Sequence, residues 1–223
     1  MPPVAPVDCS SAAQTAAFEK QTTAYTLVNQ PSWSVTSVTA EARFIARMTR
    51  SADVSADDPS KVVAADTPSH RADAGQKWGT LIHGLLEHAM LQKHATPEDL
   101  RRLGVWLTVE ETQLRDVLDL AVNTVVQVSK ADFWDQAKKS EFCSVETPFA
   151  FASHGDTILR GVIDLLFGHD GHWRIIDYKT DIGPADLVSS YQEQLKMYEQ
   201  AVRSVGVHEV TTAIQPVRGA GEK

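Results

Sequence analysis

With 223 residues, 43% of them hydrophobic and 22% charged, the chain has an ordinary globular composition and room for one sizeable core. No run approaches the roughly 18 apolar residues of a membrane-spanning helix, the first residues lack a signal-peptide pattern, and two cysteines, Cys9 and Cys143, cannot supply the four thiolates of an iron–sulfur cluster. The net charge is −8, and residues 76–223 alone carry 15 basic and 21 acidic side chains, which counts against tight autonomous binding to nucleic acid.

In chain order, residues 1–30 are rich in Ala, Ser and Thr with weak periodicity and read as a mobile lead-in. Residues 32–48 (S-W-S-V-T-S-V-T-A-E-A-R-F-I-A-R-M) predict a short β-rich piece followed by a brief helix. Residues 51–73 are Asp-, Ser-, Pro- and Ala-rich without an apolar period, hence a linker. Residues 1–73 are thus expected to be a flexible lead-in and linker with a short ordered segment near 32–48. A folded domain is expected over 74–223.

A helix starts at Ala74, with Asp73 as its cap, and carries Trp78, Leu81, Ile82, Leu85 and His88–Met90 at helical spacing. His83 lies on the shoulder of that stripe and Glu87 one turn above it. On an isolated helix these are most simply a boundary histidine and a surface glutamate. The His83–His88 spacing is not H-E-x-x-H, so a zinc-protease reading has little support. Thr96-Pro97-Glu98-Asp99 starts a further helix. Residues 110–129 predict a second amphipathic helix and 131–138 a third, all packing elements.

Residues 141–151 read as the first core strand. A turn centred near His154-Gly155 would pair Val145 with Asp164 and set Glu146 on the wrong face; a one-residue slip reverses this. Two further strands follow, around Thr157–Phe167 and Trp173–Tyr178, joined by Asp170-Gly171, a strong two-residue hairpin signal. With His169 paired to His172, Asp164 falls opposite Asp177, and Lys179 shares the face of Asp177.

Opposed carboxylates on a hairpin repel one another. A divalent cation compensates them, and hard Mg²⁺ or Mn²⁺ prefers carboxylate oxygen. The Lys179 ammonium supplies a second positive charge suited to activating water or steadying an anionic transition state. D-x-K alone is more simply two solvated strand-end residues; the opposing Asp164 tips the reading towards a metal site. Beyond Lys179, Gly183-Pro184 opens a helix to about Val205, with Leu187, Tyr191, Leu195, Tyr198 and Val202 as its apolar stripe. Gln194 and Tyr198 share one face of it. Residues 207–217 supply a last strand. There is no G-x-x-x-x-G-K-[ST] phosphate loop, so no motor of its own is expected.

Four stretches carry a resemblance. G-V-I-D (161–164) and I-I-D-Y-K-T (175–180) resemble the second and third motifs of the PD-(D/E)XK nuclease superfamily. G-T-L-I-H-G-L-L-E (79–87) and Q-L-K-M-Y (194–198) are similar to the G-x-x-x-H-x-x-L-E and Q-L-x-x-Y patterns of its RecB-type branch, and the chain looks most like the C-terminal nuclease module of AddA-type helicase–nucleases.

The resemblance implies an α/β fold: a restriction-endonuclease-like core with a mixed β-sheet flanked by helices, in the order αβββαβ. It implies Mg²⁺-dependent (Mn²⁺ possible) hydrolysis of DNA phosphodiesters to 5′-phosphate and 3′-hydroxyl ends, as an exonuclease in double-strand break repair. His83, Asp164, Asp177 and the Tyr178 carbonyl would hold the metal, and Lys179 would position or deprotonate water. Relatives often carry a glutamate at the place of Glu146. Gln194 would hydrogen-bond near the site, with Tyr198 supporting it or contacting the substrate backbone. No iron–sulfur cluster is expected. The implied partners are DNA, single-stranded favoured, and a helicase motor in the same longer chain or in a companion protein, with no membrane. The expected location is bacterial-type cytoplasm, at the nucleoid. Two other readings stay open: a non-cleaving nucleic-acid-binding or structural module with this fold, and an unrelated metallohydrolase acting on a small phosphoester.

Overall fold

The computed structural model describes residues 10–29, 33–53, 75–153, 155–180 and 185–217. Along the chain these form α1 (Ser11–Asn29), β1 (Ser34–Ser37), α2 (Val38–Asp53), α3 (Gln76–Leu91), α4 (Pro97–Leu107), a 3-10 segment (Thr112–Val117), α5 (Leu118–Val128), α6 (Asp132–Lys139), β2 (Phe142–Ala152), β3 (Thr157–His169), β4 (His172–Lys179), α7 (Ala185–Ser204) and β5 (Glu209–Pro216). Of the expected linker at 51–73, residues 51–53 continue α2 as helix, and α3 starts at Gln76 with Gly75 as its cap rather than at Ala74 with Asp73; residues 54–73, His154, Gly183-Pro184 and the tail from 218 lie outside the described residues.

Local chemistry accounts for several boundaries. Asp170 and Gly171 take φ of 50° and 81°, the left-handed pair that a two-residue hairpin turn needs, and His169 pairs with His172 as expected. At the head of α4, the Thr96 hydroxyl accepts the Asp99 N–H at 3.2 Å and the Asp99 carboxylate accepts the Thr96 N–H at 3.0 Å. That reciprocal cap, with Pro97 at the first helical position, fixes the helix start. Two departures from expectation stand out. Residues 11–29, where no element was expected, form α1, with Phe18, Tyr25, Leu27 and Val28 exposed. The single helix expected over 110–129 is divided by the 3-10 segment, which buries Leu114 before α5 begins.

The sheet is mixed, with β3 at its centre. β2 runs antiparallel along one edge of β3, from Phe142–Gly168 to Ala152–Ile158. On the other edge, β1 pairs in parallel with residues 157–160 and β4 pairs antiparallel with residues 165–169. β5 then extends β4 in parallel. Three antiparallel strands, a helix and a parallel strand give the αβββαβ core of the expected class. β1 is an addition to it, because the ordered segment near 32–48 joins the same sheet as residues 142–216.

One side of the sheet is covered by α3, α5 and α6, whose Leu81, Ile82, Leu85, Ala121 and Val125 pack on Leu165, Phe167 and Ile176. The other side is covered by α2 and α7, with Val38, Met197 and Val202 on Leu159, Ile163, Leu166 and Ile175. Each fully buried Ile or Leu contributes about 1.5–3 kcal/mol, so the strand that carries the site is held from both sides. Gly161 has a specific reason to be glycine. A Cβ there would lie 2.7 Å from the Phe149 ring, which crosses this point to meet Tyr198 edge-on at 5.5 Å.

Candidate active site

The site forms where β3 is left open. Between residues 160 and 165 neither β1 nor β4 pairs with that edge, and Asp164 lies in the gap. The β3–β4 ladder ends at Leu165–Ile176; one further step would set Asp164 opposite Asp177, as the turn chemistry predicts. Instead the Asp164 side chain bridges the opening, its Oδ2 accepting the buried Tyr178 N–H at 2.6 Å.

Glu146 reaches the site through a break in the pleat. The β2–β3 register pairs Val145 with Leu165 and Thr147 with Ile163, which brings Glu146 level with Asp164. This is the one-residue slip from the register that a turn centred at residues 154–155 predicts. At Glu146 φ is +46°, a left-handed conformation that is uncommon for a non-glycine residue. The change of side falls here: Val145 packs with the α3/α5 core and Phe149 with the α2/α7 core.

His83 comes from the middle of α3, fixed by its buried neighbours Ile82, Leu85 and Leu86. Its Nδ1 lies 3.4 Å from Glu146 Oε1 and 3.5 Å from Asp164 Oδ1, and its ring meets the edge of Tyr178 at 6.0 Å. Asp177 is buried on β4 with its Oδ2 2.7 Å from Lys179 Nζ, so these two share a face as the strand period requires. The Lys179 ammonium also lies 4.9 Å from the centre of the Tyr191 ring. On α7, Gln194 is buried and donates through Nε2 to the Tyr198 hydroxyl at 2.5 Å.

The electrostatics follow from burying so many acids together. Burial, with the neighbouring Asp177, pushes the Asp164 carboxyl up to about 7, although His83, the Tyr178 N–H and Lys179 pull it down. For His83, burial is the largest single influence and lowers the pKa. The Glu146 hydrogen bond and the charges of Asp164, Glu146 and Asp177 outweigh it, leaving the imidazole raised. Tyr198 is driven far up by burial and by Asp177, Asp164 and Glu146, which places its hydroxyl in the same field.

Ligating atoms of His83, Glu146 and Asp164 all lie within 4.8 Å of one another. Two carboxylates and an imidazole suit a divalent cation with oxygen and nitrogen ligands, and such a cation would replace the protons that this cluster otherwise retains. Among the described residues one other such trio occurs, Glu141, His169 and Asp170, all exposed at the hairpin tip. The structure therefore gathers His83, Glu146 and Asp164 in one tight group, with Asp177 and Lys179 as an ion pair on the next strand and Gln194 with Tyr198 on the covering helix. Tyr191 is the neighbour that sequence reasoning assigned to an apolar stripe; its spacing from Gln194, three residues along one helix, was the available signal.

Residues 32–219 match the PD-(D/E)XK nuclease superfamily profile. Among curated proteins the chain is similar to an ATP-dependent helicase/nuclease subunit of Anoxybacillus flavithermus, 28% identical over 148 residues, covering 60% of this chain and 12% of that protein. The protein of the same name from Moorella thermoacetica is 27% identical over 154 residues, covering 61% and 11%. That of Streptococcus pyogenes serotype M5 is 36% identical over 84 residues, covering 34% and 7%. The chain thus spans about 12% or less of the length of these relatives.

Proposed function

The chain belongs to the PD-(D/E)XK nuclease superfamily, and from that premise we propose that it hydrolyses DNA phosphodiester bonds with a divalent metal, Mg²⁺ or Mn²⁺, as the nuclease module of a helicase–nuclease. The observation that carries the reading is the convergence of His83, Glu146 and Asp164 within 4.8 Å beside the buried Asp177–Lys179 pair. The nuclease unit in this reading includes β1 and α2 together with residues 75–217, because β1 pairs with β3.

His83, Glu146 and Asp164 would hold the metal, with Asp177 and the Tyr178 carbonyl completing its surroundings. A bound cation supplies charge to polarise the scissile phosphate and to acidify water. Lys179 carries the positive charge next to the carboxylates and is placed to orient the attacking water and stabilise the developing phosphorane charge. Asp177 holds that ammonium on the metal side of β4. Gln194 and Tyr198, buried and hydrogen-bonded to each other on α7, would brace the site from behind.

The relatives are named as helicase/nuclease subunits, which favours coupling to a motor on the same longer polypeptide or on a companion protein; a role in double-strand break processing is part of this reading. Exonuclease action on single strands accords with acids that are largely buried, Asp164 and Asp177 keeping 10% and 2% of their side chains exposed. The test is incubation of end-labelled single- and double-stranded DNA with Mg²⁺, Mn²⁺ or EDTA, beside a small phosphodiester. Metal-dependent release of 5′-phosphorylated products from DNA is expected. Binding without cleavage under all metals would leave a non-cleaving module, and turnover of the small ester alone would point to a different hydrolase.

A further inference from the structure

We infer that Tyr191 is a positioning residue for Lys179, its ring holding the ammonium in working position together with Asp177. The inference rests on the assignment of Lys179 to the reaction. Lys179 has a long flexible stem, yet its side chain is only 15% exposed and its Nζ has two defined neighbours. One is Asp177 Oδ2 at 2.7 Å and the other is the Tyr191 ring at 4.9 Å. Those two contacts differ in what else they can do. With a cation bound at the site, Asp177 would share its charge between that cation and the ammonium and would hold Nζ less firmly. A ring face attracts a cation through its quadrupole and competes for neither metal nor water.

The placement on α7 supports this role. Tyr191, Gln194 and Tyr198 stand three and four residues apart, so all three project from one face of the helix towards the strand ends that carry the acids. Among the described residues Tyr191 is partly buried and stands outside both core clusters, unlike Tyr198, which packs in the core beneath α7. The Lys179 contact gives the ring at this position a partner in the site.

The test compares Tyr191→Phe and Tyr191→Leu in the parent and in Lys179→Ala, by single-turnover cleavage of an end-labelled single strand. Proton NMR of the Lys179 side chain provides a readout independent of activity. Tyr191→Phe keeps the ring and is expected to cleave within about twofold of the parent. Tyr191→Leu is expected to lose about three- to thirtyfold in kcat, the range of one partly desolvated cation–π contact, with KM and the Mg²⁺-induced rise in Tm unchanged. In Lys179→Ala the same leucine substitution should cost nothing further. The Lys179 ε-methylene protons should show an upfield ring-current shift, kept in Tyr191→Phe and lost in Tyr191→Leu. Equal loss in both backgrounds would assign Tyr191 to the substrate or the fold and overturn the inference, as would a phenylalanine variant no better than leucine. If the parent cleaves nothing, the nuclease reading fails while the ring-current comparison still decides whether Tyr191 positions Lys179.

Discussion

The Asp164 carboxylate accepts the backbone N–H of Tyr178 at 2.6 Å, tying the buried acid of one strand to the main chain of the next where their ladder ends. This bond orients the acid: Oδ2 is anchored to β4 while Oδ1 lies 3.5 Å from His83. The two obvious substitutions should therefore behave differently.

Asp164→Asn retains an oxygen for the Tyr178 N–H and removes a charge that is costly to bury. Without metal its Tm at pH 8 should match or exceed that of the parent. Asp164→Ala leaves the buried N–H unpaired and should lose about 1–3 kcal/mol. Mg²⁺ should stabilise the parent alone, by ligand linkage. Thermal melts with and without Mg²⁺ check this, and an equal metal-induced rise in the asparagine variant would remove Asp164 from the metal site.

The pH dependence follows from the two raised groups. Asp164 titrates near 7 in the folded protein against about 3.9 unfolded. The folded state therefore holds an extra proton between those values. Its contribution to stability is complete below about pH 4 and lost as pH rises through about 7. The raised His83 acts in the same direction, its contribution fading as pH climbs above the ordinary imidazole range. Metal-free stability of the parent, relative to Asp164→Asn, should fall between pH 4 and 8. Metal affinity should rise over the same interval, because binding displaces these protons. Calorimetric Mg²⁺ titrations in buffers of different ionisation enthalpy should detect proton release at pH 6 and little at pH 8.5.

Glu146 stands level with Asp164 and contacts His83 at 3.4 Å. Glu146→Gln should raise the metal concentration needed for half-maximal cleavage by at least about tenfold, of the order seen when groups around a metal are removed. The rate at saturating metal should change less. A metal titration of the cleavage rate separates the two, and an unchanged half-saturation point would leave Glu146 as a partner of His83 alone.

Lys179→Ala should lose on the order of 10²–10³ in rate while metal still binds, and Lys179→Arg should not restore it, because a forked guanidinium does not replace a compact ammonium. The buried ion pair adds a stability term. Asp177 is almost wholly buried against Lys179, so removing either partner should destabilise the metal-free protein by about 3–5 kcal/mol. Repulsion from Asp164 alone would have made Asp177→Ala neutral or stabilising; the Lys179 contact reverses that expectation. Chemical denaturation of Lys179→Ala and Asp177→Ala in EDTA provides the measurement.

Charge sets the last prediction. With a net charge of −8, the protein should bind DNA weakly in EDTA, because phosphate neutralisation by Lys and Arg supplies most non-specific affinity. Tethering to a motor would raise the local strand concentration. A salt titration with single- and double-stranded oligonucleotides tests this. Tight duplex binding with a steep salt slope would show that the domain has its own gripping surface, and the case for a tethered motor would lose its physical basis.

The hairpin was legible because its determinants are local. Asp170-Gly171 dictates the turn, the turn dictates the register, and a period of two places Asp177 and Lys179 on one face; none of these needs a distant partner. The same holds for the stripe of α3 that directs His83 and for the shared face of Gln194 and Tyr198. Tertiary structure decided the rest. Whether Glu146 faces His83 depends on a left-handed residue inside β2 and a one-residue choice of register, which no periodicity encodes. β1 joins the sheet by pairing in parallel with a strand more than a hundred residues away, a contact that local propensity cannot report. Likewise the Lys179–Tyr191 contact joins a strand end to a helix face, and an apolar spacing reads that tyrosine only as core. Local sequence chose the acids and the lysine; long-range packing decided which of them meet, because the free energy that brings them together comes from two cores whose residues lie far apart in the chain.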